Sequence, residues 1–89
     1  MREPVLIARE HLGRLFRERR LKLGLTQEAV AHRLEIEEPD YRRIELGKRG
    51  FSLEMLAKIA IALELEPTAF FVAPSGLDRR ARAPRRKKP

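Results

Sequence analysis

Helix stops and helix starts divide the first 71 residues into short helical pieces, and that punctuation constrains the fold more than any other feature. Gly24 and Gly47 each follow an apolar run of helical period, and Thr26 and Ser52 each stand just before the next run. Glycine takes the left-handed turn that ends a helix, and a hydroxyl accepts from the unpaired N–H groups that begin one. No stretch alternates with period two, and no Asn-Gly or Asp-Gly pair marks a hairpin. The expectation is an all-α fold, a compact bundle of five short helices.

The first helix is expected from Glu3-Pro4 to Leu23, with Ala8, Leu12, Leu15 and Phe16 as its core face. The second starts at Thr26 and turns Val30, Ala31 and Leu34 inward. The third carries Pro39 in its first turn and Tyr41 and Ile44 inward, and Gly47 stops it. The fourth is capped by Ser52 and runs through Leu53, Leu56, Ile59, Ala60 and Leu63. A fifth begins near Pro67 and carries Phe70 and Phe71. Residues 1–71 thus form one domain.

Charge separates that domain from the rest of the chain. The 89 residues have a formal charge of +7, a balance that suggests a polyanionic partner. Residues 72–89 hold seven bases (Arg79, Arg80, Arg82, Arg85, Arg86, Lys87, Lys88) and one acid, Asp78, for a net +6. Residues 1–71 hold 13 bases and 12 acids and are nearly neutral. The basic block has almost no apolar side chains to bury, so it reads as a disordered tail making non-specific phosphate contacts.

The informative segment is Leu25 to Gly47. Two short helices flank a turn of three or four residues, with the small Ala31 where they cross and apolar residues at 30, 34, 36, 41 and 44 to pack them. This is the layout of a helix-turn-helix, whose second helix enters the DNA major groove.

The run from Leu25 to Leu34 (LTQEAVAHRL) resembles the helix-two signature of the phage-repressor and Cro-like (XRE) family. Ile44-Glu45-Leu46-Gly47-Lys48-Arg49, then Ser52-Leu53-Glu54-Met55-Leu56, resemble its third-helix exit and fourth helix. Ala60 to Leu65, continuing to Phe70, resembles its close. The resemblance covers roughly residues 12–71. It implies that Gln27, Lys48 and Arg49 meet phosphates, that Glu37, Glu38, Pro39 and Arg43 face base edges, and that Arg20 of the first helix braces Glu45 of the third. Thr26 and Arg42 are assigned to phosphate beside them. A glutamine amide and backbone N–H groups at a helix start suit an anion. Arg43 can donate bidentately to guanine, and Glu38 can accept from cytosine N4.

The sequence departs from the family in its third helix. Glu37 stands where a Ser or Thr cap is usual, and Glu37, Glu38 and Asp40 crowd the first turn. These acids favour the helix dipole but face phosphates. Residues 34–71 carry five bases and eight acids, a net −3 where a groove-facing half is normally basic.

The resemblance implies a sequence-specific transcriptional regulator acting as a homodimer on a near-palindromic operator in double-stranded DNA. It also implies a dimer interface through Phe51, Leu65, Phe70 and Phe71. Restriction–modification controller proteins and toxin–antitoxin antitoxins both fit. The acidic turn supports a second reading, a protein-interaction module (antitoxin or anti-regulator) on the same fold with a protein partner and weak or no specific DNA binding. An enzyme is not expected, because no nucleophile–base pair is identifiable. No cofactor or metal is expected either: cysteine is absent, and His11 and His32 are isolated on polar faces. No apolar run approaches the ~20 residues of a membrane span, so the expected location is cytoplasmic.

Overall fold

The computed structural model describes residues 3–66. They form α1 (Pro4–Lys22), α2 (Gln27–Leu34), α3 (Glu38–Glu45) and α4 (Leu53–Ala62), with no strand among the described residues. Four helices are therefore described where five were expected. The fifth, with Phe70, Phe71 and the basic tail, lies outside the described residues.

The helix starts follow local chemistry. Thr26 Oγ1 accepts from the Ala29 N–H at 2.9 Å, and Ser52 Oγ accepts from the Met55 N–H at 3.0 Å. Glu3 does the same for Leu6 at 3.2 Å, with Pro4 beginning α1. Glu37, at the start of α3, makes no such bond, so this helix begins without the stabilisation of about 1 kcal/mol that a side-chain cap supplies.

All four helices end in one way. Gly24, Glu35, Gly47 and Glu64 take left-handed φ of 73°, 60°, 75° and 60°. The next residue in each case (Leu25, Ile36, Lys48, Leu65) donates its N–H back to a carbonyl five residues earlier at 2.8–3.1 Å. This paired closure satisfies the last carbonyls of a helix. Leu25, Ile36 and Leu65 also pack against the core, so three of the four turns are held by apolar burial as well. The carbonyls at the end of α4 receive further donors from two arginines. Arg19 reaches Leu63 O at 2.9 Å and Glu64 O at 3.0 Å, and Arg33 reaches Ala62 O at 2.7 Å. Because α4 has no basic residue in its own last turn, α1 and α2 supply the positive charge that a helix C-terminus favours.

Phe16, Val30, Ala31, Leu34, Tyr41, Ile44, Leu56, Ile59, Ala62 and Leu63 form one buried cluster. The rings of Phe16 and Phe51 meet at 5.8 Å between centroids, tilted by 54°. The inward faces expected of α2 and α3 are the buried ones. The face expected of α1 is not: Phe16 is buried, Leu12 and Leu15 are half-buried, and Ala8 is exposed. The 19 residues of α1 span about 28 Å at 1.5 Å per residue, more than the short helices beneath can cover, and its first turns overhang. Leu53, expected inside, is 71% exposed. Side chains lean toward a helix's N-terminus, so the first residue of α4 leans past the turn that packs.

Gly13 is a buried residue of α1 that apolar periodicity does not reveal. A Cβ there would stand 2.3 Å from the Glu45 carbonyl oxygen and 2.7 Å from that of Ile44. At Gly47 it would stand 2.6 Å from Glu10 Cγ and 2.9 Å from Glu10 Cα. Two glycines thus let the backbones of α1 and the end of α3 touch, and that contact sets where α3 points.

Candidate nucleic-acid interface

Tyr41, Ile44 and Glu45 fix one side of α3 in the molecule. The other side carries exposed Pro39, Arg42, Arg43 and Leu46. The helix is therefore held on one face and available on the other.

The hold is ionic as well as apolar. Arg20 Nε donates to Glu45 Oε2 at 2.6 Å and Arg20 Nη2 to Oε1 at 3.1 Å, a two-pronged pair with side chains 9% and 2% exposed. Arg20 Nη1 also donates to the Leu25 carbonyl at 3.0 Å, and Gln27 Nε2 donates to Glu45 Oε1 at 3.0 Å. One carboxylate thus ties α1, the start of α2 and the end of α3 together. Burial alone would push the Glu45 carboxyl up. Arg20 first, then the neighbouring Tyr41 hydroxyl and the Gln27 amide, outweigh it and hold the group below the usual carboxylate value. The Tyr41 phenol lies beside the pair, pushed well above its ordinary value by burial and by the Glu45 charge.

The brace expected between Arg20 and Glu45 is present, and it recruits Gln27. That residue's amide serves Glu45 rather than pointing only outward, and Thr26 Oγ1 is engaged as the cap. The cap takes the Ala29 N–H, which leaves the Gln27 and Glu28 N–H groups as the donors a helix start offers to an anion.

The exposed face of α3 is laced by its own acids. Arg42 pairs with Glu38 one turn earlier. Arg43 Nη1 donates to Asp40 Oδ1 at 2.9 Å, and Arg49 Nη1 lies 3.8 Å from Asp40 Oδ2. Glu37 and Pro39 are exposed at the start of the helix, and Lys48 is exposed in the loop after it. Phe51 and Leu65 pack against the core and stay partly exposed.

Sequence reasoning gave no site role to Asp40 or Gly13. The i, i+3 spacing of Asp40 and Arg43 was visible, whereas the approach of Arg49 depends on the turn at Gly47. Among the described residues no helix is long and apolar enough to cross a membrane.

A family model described as a helix-turn-helix domain matches residues 11–70. Curated proteins give no significant match. Among solved structures, the restriction-modification controller protein C.AhdI from Aeromonas hydrophila is similar, with 30% sequence identity and a TM-score of 0.71. The similarity covers 78% of this chain and all of that one.

Proposed function

This chain belongs to the helix-turn-helix domain family, of the phage-repressor and Cro-like type, and from that premise we propose that it is a sequence-specific transcriptional regulator of double-stranded DNA. The family is one of DNA-binding regulators, not of enzymes. One observation carries the reading. The buried Arg20–Glu45–Gln27 network locks α3 against α1 and the start of α2, while Arg42 and Arg43 face outward at 49% and 56% side-chain exposure. A recognition helix needs this combination, because bases are read only if the backbone-positioning groups and the reading side chains keep one geometry.

In this reading α3 enters the major groove. Arg43 donates to guanine, and Glu38, with Glu37 and Pro39, borders the bases. The first turn of α2 at Thr26 and Gln27, together with Arg42, Lys48 and Arg49, grips phosphates. The protein acts as a homodimer on a near-palindromic operator, with half-sites about one helical turn apart. Phe70 and Phe71 join Phe51 and Leu65 at the interface. Ile61 on α4, 71% exposed, extends the apolar surface such an interface would cover. The tail from Arg79 to Lys88 adds non-specific affinity, each phosphate it neutralises steepening the salt dependence by about 0.9. Similarity to a restriction-modification controller protein supports a controller role.

The test compares two alanine variants on a selected operator and on an unrelated duplex. Arg43→Ala is expected to lose about 1–3 kcal/mol on the operator and far less on the unrelated DNA. Lys48→Ala is expected to weaken both alike. Equal losses from Arg43→Ala on the two duplexes would remove it from base reading.

A further inference from the structure

The acidic first turn of α3 looks ill-suited to a polyanion, but the structure gives its acids definite partners. Asp40 uses both carboxylate oxygens on cations, Oδ1 accepting from Arg43 at 2.9 Å and Oδ2 lying 3.8 Å from Arg49. These two arginines belong to different parts of the interface. Arg43 lies on the exposed face of α3, and Arg49 lies beyond the Gly47 turn. Arg49 Nη1 is buried, has no hydrogen-bond partner, and stands at ion-pair rather than hydrogen-bond distance from Asp40. It is a donor held close to an acceptor without being satisfied by it.

We infer that Asp40 is a masking residue: it holds Arg43 and Arg49 together and neutralises their charge in the free protein, so that DNA engages them only by displacing its carboxylate. The inference rests on the proposed DNA-binding function. The physical reason is competition between anions for the same two cations. On unrelated DNA, Arg43 finds only phosphate, and releasing it from Asp40 exchanges one anion for another with little gain. On the operator, Arg43 gains a bidentate bond to a base edge, and on either duplex Arg49 gains from a phosphate the hydrogen bond that Asp40 does not complete. Because the pair exists in the free protein, Asp40 lowers the affinity for both duplexes, and only the operator's added contacts leave a tight complex. The near neutrality of residues 1–71 fits this, since non-specific affinity grows with unmasked cations.

Asp40→Asn removes the negative charge at nearly constant shape, and Asp40→Glu keeps the charge. Binding of each full-length variant to the operator and to an unrelated duplex is measured across a salt series, with thermal melts to check folding. In the free proteins, NMR relaxation reports the mobility of the Arg43 side chain. Asp40→Asn is expected to bind unrelated duplex about tenfold more tightly at low salt and to steepen its salt dependence by about 0.9 per released cation. Operator affinity is expected to rise at least as much, and Arg43 to become more mobile. Asp40→Glu is expected to stay near the parent in salt slope. If Asp40→Asn leaves affinity, slope and Arg43 mobility unchanged, or weakens both duplexes alike, the inference is wrong. Should the parent show no preference among duplexes, the DNA-reading function fails on that result. The salt slope and the Arg43 mobility of Asp40→Asn then still decide the masking role.

Discussion

Arg20→Met is expected to destabilise the fold by about 3–5 kcal/mol, the usual effect of removing one member of a buried ion pair. Methionine replaces the stem of the arginine but none of its donors. Glu45, whose side chain is 2% exposed, would keep only the Gln27 amide at 3.0 Å, and an uncompensated charge would sit inside the molecule. Arg20 also serves the Leu25 carbonyl, so the turn before α2 loosens at the same time. The double variant Arg20→Met/Glu45→Leu is expected to be less destabilised than the single one, because the buried charge is gone. Its DNA discrimination should still be poor, since Gln27 and α3 lose their common anchor. Chemical denaturation of the three proteins checks this, and a loss below about 1 kcal/mol for Arg20→Met would contradict the brace.

The same pair fixes a dependence on pH. Glu45 in the folded parent lies below the ordinary carboxylate value of 4.5. Its contribution is therefore complete above that value and is lost as the pH falls through the lowered folded one. In Arg20→Met, burial dominates and pushes the carboxyl up instead, so protonation relieves the variant. The stability gap between parent and variant is expected to be widest near neutrality and to close in acid.

Gly13→Ala is the second large effect, and its sign is the informative part. Alanine in place of glycine within a helix normally stabilises by about 1 kcal/mol. Here the new methyl would lie 2.3 Å from one backbone oxygen and 2.7 Å from another. Backbone cannot move aside as a flexible side chain can, so α1 must lift from the end of α3. The expected result is a net loss of about 1–3 kcal/mol, as for overpacking, together with weaker operator binding because α3 is displaced. A melting temperature raised by Gly13→Ala would show that the two backbones do not touch.

Much of the arrangement is written in local chemistry. Gly24 and Gly47 end helices because glycine takes positive φ freely, and Thr26 and Ser52 begin them by accepting an N–H. The order of these signals, with apolar residues between them at helical spacing, suffices to place α2, the turn and α3. The ends of α2 and α4 were legible only as the limits of periodicity. Glu35 and Glu64 adopt the left-handed turn without any turn signature, because Ile36 and Leu65 after them bury against the core. The overhang of α1 was hidden too, since a periodic apolar face does not say how much surface awaits it. Gly13 could have been questioned on propensity alone, as a mid-helix glycine that needs a packing reason.

The candidate site divides in the same way. The Arg20–Glu45 brace came with the family resemblance, and the structure adds Gln27 to it. Asp40 with Arg43 was implicit in a three-residue spacing. Asp40 with Arg49 depends on how the chain turns at Gly47, which no local pattern states. The net charge misdirects for a related reason. Arg20 is spent on Glu45 inside the molecule, and Arg19 and Arg33 are tied to the carbonyls at the end of α4, so counting cations overstates what a duplex would meet.

Two copies of α3 reading DNA sequence would leave a defined product when the 89-residue chain selects bound duplexes from a random pool. The expected product is an inverted repeat with half-sites about one helical turn apart, lost when Arg43 is alanine. A pool that enriches no sequence, while binding persists at low salt, would contradict base reading by α3 and leave a fold that meets DNA by charge alone.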